Sequence, residues 1–375
     1  MTRTKNGPGP LAERVLRGII ELGPRDLKRV AQLSGVPYHK TVKVYNRILQ
    51  QFKIKISAAA NAEALGLVHA FFTATPNKDY RKVALESLAE LHSLLGLAVD
   101  SSDFFTIFGA LYLPANEKGY DYLRLFESLR TAGFLTEYTT NLFTKKLRYN
   151  LRPEYVNWET GKYDFEWDKL TDRQPEDTVV GLVENPSADK IDLLVLKELE
   201  LNATKTFKQM QEGIKERPGA EIAERLLLYH FSEHVVRRKL LSRYKVYFPV
   251  SECLAVYLVA SLKPTSRGEY LKMIRRIPYL SIEFLSEQNP MHVSVLNIPG
   301  DAYSSFLSYF NRKVLTLTEE SRVFVAIPGM RHTYTIPYEL YNEDTNSWDY
   351  DYVRDAESVL QKAETLIQSN LNLGG

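Results

Sequence analysis

Basic side chains recur every three or four residues between positions 38 and 51, a spacing suited to neutralising phosphate groups. Lys40, Lys43 and Arg47 fall on one face of a predicted helix, and Tyr38 and His39 stand at its N-terminal end. The opposite face is apolar and carries Val42, Tyr45, Ile48 and Leu49. Such a helix can enter the major groove of duplex DNA, with its cations on the flanking phosphates and its first residues at the base edges.

The N-terminal part of the chain concentrates positive charge. Residues 1–56 contain twelve Lys or Arg and three acidic residues, a formal charge of +9, whereas the whole chain of 375 residues carries +2. The remaining residues therefore carry −7. A basic block of this kind indicates attraction to a polyanion. The alternative is a solvated basic face that has no partner.

Three predicted helices and a strand position these cations. A Gly-Pro pair ends the first helix (11–22), and Gly35 closes the second helix (25–33). After the third helix, Lys53 and Lys55 alternate with isoleucines, as in the first strand of a wing. This order predicts a winged helix-turn-helix, and all seven polar residues just described are candidate DNA contacts. The alternative is a three-helix bundle with ordinary solvated lysines.

A second helical segment (189–250) matches the first less closely. An insertion around residues 217–230 separates its second helix from a predicted third helix at 232–241. Its candidate DNA contacts are His234, Arg237, Arg238 and Arg243. Because the insertion makes the turn atypical, two interpretations stay open: weak DNA binding and a purely structural role.

Two aromatic and acidic segments indicate an internal repeat. Residues 157–167 align without gaps with residues 342–352, and acidic and aromatic residues pair at most positions. Gly161 and Asn346 share a turn position, and these two residue types tolerate positive φ best. The sequence therefore predicts a tandem duplication.

A strand–helix–strand–strand–helix–strand order follows each helical segment, which is typical of a ferredoxin-like domain. We therefore predict an α+β fold with two winged helix-turn-helix domains and two ferredoxin-like βαββαβ domains. The predicted bounds are 1–58 for the first winged helix-turn-helix, 62–150 for the first ferredoxin-like domain, 151–188 for an aromatic and acidic connector, 189–250 for the second winged helix-turn-helix-like domain, 251–345 for the second ferredoxin-like domain, and 346–375 for a second aromatic and acidic segment with a C-terminal helix.

The segment Asp192 to Ala203, an acidic-start helix followed by Asn-Ala, resembles the opening of the Lrp/AsnC family of archaeal and bacterial regulators. The resemblance implies a winged helix-turn-helix joined to a βαββαβ domain that dimerises and binds a small-molecule effector. It covers most of the chain, which departs from the family in its fused units, its insertion and its added aromatic segments. We expect a sequence-specific duplex-DNA-binding transcriptional regulator that is a homodimer or a pseudo-dimeric monomer.

The same resemblance supplies an alternative from another class, because siroheme decarboxylases resemble these regulators and also occur as paired or fused copies. Those enzymes use histidine and arginine near a tetrapyrrole pocket. Here His292 has apolar neighbours, and His332 lies beside Arg331 and Tyr334. Without a compact His-Asn-Tyr-Arg cluster in the sequence, we expect no enzymatic activity. A third interpretation is an interaction scaffold that uses its basic N-terminus.

Other chemistry is not expected from the sequence. The close carboxylates Asp100 and Asp103, and Asp349 and Asp351, are interpreted as turns or strand edges, so no metal site and no cofactor are predicted. Cys253 is the sole cysteine, which excludes an intramolecular disulfide. No stretch approaches the roughly 20 apolar residues that cross a bilayer. We therefore expect a cytoplasmic protein with no membrane partner.

Overall fold

The first helical segment consists of α1 (Pro8–Leu22), α2 (Leu27–Ser34), α3 (Tyr38–Gln50) and the strand β1 (Lys55–Ala60). The computed structural model describes residues 8–172, 188–248, 253–287 and 289–373. Local chemistry sets both ends of α2. The Asp26 carboxylate accepts a hydrogen bond from the backbone N–H of Arg29 at 3.0 Å, and Gly35 takes the left-handed conformation at φ 61°.

The first βαββαβ unit follows this segment. Its elements are β2 (Leu67–Pro76), α4 (Ala84–Leu88), β3 (Leu94–Asp100), β4 (Ile107–Pro114), α5 (Glu117–Tyr122), α6 (Arg124–Thr131) and β5 (Leu135–Phe143). Its strands lie in the order β5-β2-β4-β3, and all of their pairings are antiparallel. The helices cover one face of this sheet, where Phe72, Phe126 and Leu129 are fully buried.

The connecting region and the second helical segment come next. They contain β6 (Lys145–Arg148), β7 (Val156–Asn157), β8 (Lys162–Tyr163), α7 (Lys190–Leu201), α8 (Phe207–Glu216), α9 (Glu224–Tyr229), a π-helical turn (His230–Val236) and β9 (Leu241–Tyr247). The predicted third helix at 232–241 is corrected by this arrangement. Residues 217–223 form a turn and an irregular stretch, after which α9 begins at Glu224 and runs directly into the π-helical turn, which ends at Val236.

The second βαββαβ unit repeats the strand order of the first. Its elements are β10 (Cys253–Leu262), α10 (Arg267–Arg276), β11 (Leu280–Leu285), β12 (Met291–Pro299), α11 (Tyr303–Lys313) and β13 (Thr318–Thr333). Its order β13-β10-β12-β11 corresponds strand by strand to β5-β2-β4-β3. The chain then continues through β14 (Tyr341–Asn342), β15 (Ser347–Trp348) and α12 (Tyr352–Leu373).

The two units join into one nine-stranded sheet by exchanging the ends of their last strands. The first part of β13 pairs with β10, and then Arg331 pairs with Ala98 of β3 in the other unit. In the same way, β6 follows β5 but pairs with β11, with Arg148 opposite Ile282. Aromatic rings from both units share one core cluster that includes Phe71, Phe108, Phe143, Tyr257, Phe284 and Phe324.

The strands β1 and β9 pair antiparallel with each other and link the two helical segments. The sequence predicts that β1 is the first strand of a wing. It does form a strand, but its partner comes from the second helical segment, with Ile56 opposite Val246. The helices of each helical segment also contact the strand of the other segment. A Cβ added to Gly23 at the end of α1 would stand 2.3 Å from the Tyr244 ring of β9, and Ala203 after α7 donates its N–H to the carbonyl of Ile56 at 3.0 Å.

The aligned aromatic segments form two hairpins with the same turn. The Asn157 side-chain oxygen accepts from the backbone N–H groups two and three residues on, at 3.0 and 3.3 Å, and that of Asn342 does so at 3.0 and 3.2 Å. Gly161 and Asn346 both have positive φ, +73° and +47°. The turn chemistry predicted from the sequence is therefore present at both places.

The fold is α+β, as the sequence predicts, with a large antiparallel sheet and helices on it. Among the residues that the structure describes, no helix combines the length and apolar character needed to cross a membrane.

Candidate functional site

The predicted DNA contacts of the first helical segment lie together on and after α3. Tyr38, with half of its side chain exposed, precedes the exposed side chains of His39, Lys40 and Lys43 on the helix surface. Arg47 differs from these residues. Its guanidinium donates to the side chain of Gln51 at 2.8 Å and to the carbonyl of Trp158 at 3.2 Å.

The positions after α3 are accessible too, because Lys53 and Lys55 are exposed at the start of β1. Six of the seven residues predicted in this segment therefore present side chains to solvent, and Arg47 is half-buried against the rest of the protein.

The predicted contacts of the second helical segment are dispersed. Arg237 and Arg238 are exposed, and the guanidinium of Arg237 pairs with Glu233 at 2.9 Å. Arg243 is half-buried on β9 opposite Ala59. His234 is directed into the protein, where its Nδ1 lies 3.0 Å from a carboxylate oxygen of Asp192. This segment does not assemble a basic face comparable to that of α3.

A cavity of about 540 Å³ lies between the first hairpin and the second βαββαβ unit; we call it the aromatic cavity. Its polar lining includes Lys162, Asp301 and Cys253. Five aromatic residues form its walls: Tyr163, Phe165, Trp167, Phe248 and Tyr279.

Ring contacts hold these walls in place. The Tyr163 ring lies edge-on to Tyr279 at 4.9 Å and to Phe248 at 5.4 Å, and Trp167 packs on Tyr309 at 4.9 Å between ring centres. The hairpin that supplies Tyr163 follows β6, so the chain of the first unit builds one wall against the second unit. An aromatic cleft of this kind suits a flat, conjugated ligand.

A small inner cavity of about 30 Å³ shares several walls with the aromatic cavity and is also lined by Asn297 and Tyr247. The side-chain oxygen of Asn297 is buried and has no hydrogen-bond partner among the described residues. Near Tyr247, two buried guanidinium nitrogens of Arg331 also lack a partner in the described ranges. Buried polar atoms normally find partners, so these groups are candidates for holding a ligand.

The protonation of the cavity wall follows from its burial. Burial raises the pKa of Tyr279, and the nearby Asp301 and Cys253 raise that pKa further. Burial also raises the pKa of Tyr247, although a hydrogen bond with Ser57 and the charge of Arg331 act in the opposite direction. Both phenols therefore remain protonated near neutral pH and can donate hydrogen bonds or protons.

The matching place in the first unit is filled by the second hairpin. Trp348 is buried, and its indole N–H donates to the carbonyl of Leu65 at 2.7 Å. The Tyr350 hydroxyl donates to the carbonyl of Tyr112 at 2.9 Å, and its ring lies edge-on to Tyr122 at 5.0 Å. The first unit is thus closed where the second unit holds the aromatic cavity.

The side chains that the sheet presents beneath these two places also differ in size between the two units. His69 pairs with Tyr112 across β2 and β4, and at the equivalent positions Ala255 pairs with Asn297 across β10 and β12. The smaller pair gives room to the inner cavity of the second unit.

His69 is a buried residue that sequence reasoning missed. Its two ring nitrogens have no hydrogen-bond partner in the part of the chain that the structure describes. Burial, followed by the charges of Lys146 and Arg148, lowers its pKa well below the ordinary value. The imidazole is therefore neutral near pH 7. A histidine on an apolar strand gave no signal, because its cationic neighbours come from the distant strand β6.

His292, the strand histidine noted in the sequence, is held by hydrogen bonds inside the protein core. It is buried, and its Nε2 lies 3.0 Å from the Glu283 carboxylate, which also accepts from Arg275 at 2.9 Å. Its Nδ1 lies 3.3 Å from the Tyr270 hydroxyl. His332 is half-buried beside Tyr334, with ring centres 6.3 Å apart.

Two of the four close carboxylates, Asp103 and Asp351, form local hydrogen bonds of the kind found in turns and helix starts, whereas Asp100 accepts from the backbone N–H of Val325 on β13 at 3.0 Å. Asp103 accepts from the backbone N–H groups of Phe105 and Thr106 at 3.0 and 2.9 Å. Asp351 accepts from two N–H groups at the start of α12, at 3.0 and 3.1 Å.

Comparison with known proteins bears on the fold. The structure matches that of the siroheme decarboxylase NirDL with a TM-score of 0.50 and 11% identity, over 95% of this chain and 99% of that chain. The structure of NirDL in complex with an iron-uroporphyrin III analogue matches with the same TM-score, identity and coverage. No protein-family model and no curated protein sequence matches this chain. The fold is therefore Lrp/AsnC-like, as the resemblance implied.

This comparison corrects one expectation. The sequence led us to predict a protein without enzymatic activity, mainly because no compact cluster of histidine, asparagine, tyrosine and arginine was visible in it. The fold is shared along nearly the whole chain with an enzyme, which contradicts that prediction. Asn297 and Tyr247 line the inner cavity from two separate strands, and Arg331 reaches Tyr247 from a third, so neither proximity could be detected from spacing along the chain.

Proposed function

We propose that this protein is a tetrapyrrole-binding enzyme of the siroheme decarboxylase type, and that the aromatic cavity is its substrate site. The observation that carries the proposal is the asymmetry between the two units. One of two equivalent places is filled by Trp348 and Tyr350, and the other is an open cavity with aromatic walls. NirDL, which shares the fold, has been solved with an iron-uroporphyrin III analogue.

The chemistry of the lining agrees with this substrate class. A volume of about 540 Å³ is within the usual range for small-molecule sites. Aromatic walls pack against the faces of a flat macrocycle. The substrate's carboxylates require cations, and Lys162 on the lining supplies one; we assign a second to Arg331, which lies near Tyr247 of the adjoining inner cavity.

Decarboxylation of an acetate side chain breaks one carbon–carbon bond, releases CO₂ and leaves an electron pair that must take up a proton. In our proposal Tyr279, a protonated phenol on the cavity wall, delivers that proton. The carboxylate that is lost would be drawn from water into an aromatic environment, where an unpaired charge is disfavoured. Lys162 would orient the carboxylates that remain.

The activity is tested by incubating the full chain with siroheme and following the substrate by mass spectrometry. We expect loss of CO₂ from the substrate, and Tyr279→Phe should slow it by about 10²- to 10⁴-fold, the usual contribution of a general acid. Tyr309→Phe is the matched control, since this neighbouring phenol donates to the carbonyl of Met273 at 3.3 Å. An unchanged substrate mass with correctly folded protein would exclude the decarboxylase proposal.

A second candidate function has its own support. The exposed group Tyr38, His39, Lys40 and Lys43 on α3 is the arrangement that a DNA-reading helix requires. We therefore retain duplex-DNA binding, as in a transcriptional regulator, as a proposal for the first helical segment. It does not compete for the aromatic cavity, which other residues form.

A further inference from the structure

Four ligand-type side chains converge where the π-helical turn meets the start of α7. Asp189 is the N-cap residue of α7 and Asp192 lies in its first turn, while His230 and His234 stand four residues apart on the π-helical turn. One candidate ligand atom from each of the four lies within 4.8 Å of all the others. We call these residues the Asp/His cluster.

The distances within the cluster are those of atoms around a common centre. The Nδ1 atoms of His230 and His234 lie 2.8 and 3.0 Å from the same oxygen of Asp192. The same two nitrogens lie 3.5 and 3.7 Å from the oxygens of Asp189. Ligands bound at 2.0–2.1 Å in a tetrahedron stand about 3.3 Å apart, and the observed distances lie on both sides of that value.

Negative charge on the buried carboxylate of this cluster is unfavourable unless a positive charge lies beside it. The Asp192 side chain is fully buried, those of His230 and His234 are 8% and 13% exposed, and that of Asp189 is 44% exposed. Within the described ranges, the ion-pair partners of both carboxylates are these two imidazoles, and no lysine or arginine takes part. Two adjacent carboxylates in such a place are stabilised by a bound cation.

Backbone hydrogen bonds fix the positions of the two aspartate side chains. Each aspartate accepts the backbone N–H of the other, Asp192 N–H to Asp189 at 2.9 Å and Asp189 N–H to Asp192 at 3.1 Å. These bonds hold both carboxylates in place beside the two imidazoles. The π-helical turn is a rare element that occurs often at functional sites, and here it places the two histidine rings 4.5 Å apart.

We propose that Asp189, Asp192, His230 and His234 bind one divalent transition-metal ion, with Zn²⁺ as the preferred occupant. Two imidazoles and two carboxylates with tetrahedral spacing form a donor set that suits Zn²⁺. The ion ties the inserted helix to α7 and so fixes the atypical part of the second helical segment. The site could not be recognised from local spacing, since Asp192 and His230 are 38 residues apart in the chain. The site is independent of the tetrapyrrole proposal.

The test is Zn²⁺ titration by calorimetry of the tag-free full chain after treatment with a chelator, with metal content measured separately. We expect one Zn²⁺ per chain and a higher Tm when Zn²⁺ is present. Asp189→Asn should weaken Zn²⁺ binding by more than about 10-fold. Even the loss of a residue that only hydrogen-bonds to a metal ligand typically lowers metal affinity by at least that factor. Asparagine is as good an N-cap as aspartate, so this variant is expected to keep α7.

His234→Ala is the second variant, and His332→Ala is the control for loss of a half-buried histidine elsewhere. The proposal is supported if Asp189→Asn and His234→Ala lose affinity and His332→Ala does not. It is overturned if the folded wild-type chain takes up no Zn²⁺, or if Asp189→Asn binds as tightly as the wild type. Should His234→Ala fail to fold by circular dichroism, the Asp189→Asn result decides.

Discussion

Tyr163 and Trp348 occupy equivalent positions in two hairpins with the same turn, but only Trp348 is buried. Its indole N–H donates to the carbonyl of Leu65 at 2.7 Å, whereas Tyr163 lines the aromatic cavity. Each hairpin follows the last strands of one unit and packs on the other unit. The two hairpins are therefore similar in sequence and turn, but one closes its place on the sheet and the other borders the aromatic cavity.

The exposed cations of α3 make a direct prediction about DNA. Lys40→Ala with Lys43→Ala should weaken binding to duplex DNA and reduce the slope of log affinity against log salt by about 1.8, or about 0.9 for each lost phosphate contact. Gel shifts at several salt concentrations measure this slope. Arg237→Ala with Arg238→Ala is the comparison in the second segment, where no basic face is assembled. Equal affinity and slope for the α3 double variant and the wild type would remove α3 as the DNA-binding helix.

Glu283 predicts a dependence of stability on pH. Burial alone would raise its pKa, but the hydrogen bond and charge of His292 and the charge of Arg275 outweigh burial, so the pKa is lowered. A lowered folded-state pKa means that the contribution is present above the unfolded pKa of about 4.3 and is lost as pH falls through the folded value.

The matching substitution is Glu283→Gln, which leaves His292 and Arg275 without their carboxylate. We expect a decrease in the free energy of unfolding of about 3–5 kcal/mol near neutral pH, the usual result of removing one partner of a buried ion pair. Denaturant unfolding at pH 7 and at acidic pH measures both effects. A variant as stable as the wild type at both pH values would contradict the structural role of this network.

Gly23 predicts how tightly the two helical segments are joined. It has φ +81°, and an added Cβ would stand 2.3 Å from the Tyr244 ring. Gly219 is a matched control, because its φ is +73° and an added Cβ would meet nothing within 4 Å. Both Gly→Ala variants carry backbone strain on the order of 1–3 kcal/mol. Thermal unfolding should show a clearly larger loss for Gly23→Ala, and equal losses would mean that α1 does not pack tightly on β9.

Local chemistry made part of this fold predictable from the sequence. The Asn157 and Asn342 turns depend on residues two to four positions apart, and the strands and helices of each unit depend on local periodicity. Pairing between distant segments was not accessible in this way. Nothing in the pattern of β1 says that its partner is β9, and nothing in β13 says that it continues onto β3.

The candidate sites also divide into those formed by local spacing and those formed by contacts between distant segments. The basic face of α3 was visible because helical spacing alone creates it. The inner cavity brings together Asn297 and Tyr247 from two strands, with Arg331 of a third strand near Tyr247, and the Asp/His cluster joins ligand pairs from two helices. Such sites arise from tertiary contacts, and a single sequence does not contain the distances that define them.

An absorbance titration of the full chain with iron-uroporphyrin III measures whether the aromatic cavity binds a tetrapyrrole. We predict saturable binding with a shift of the Soret band, at least 10-fold weaker in Trp167→Ala, which removes a cavity wall, and unchanged in Tyr352→Ala, the equivalent position in the filled half. If the wild-type chain caused no spectral change, or if both variants weakened binding equally, the aromatic cavity would not be a tetrapyrrole site.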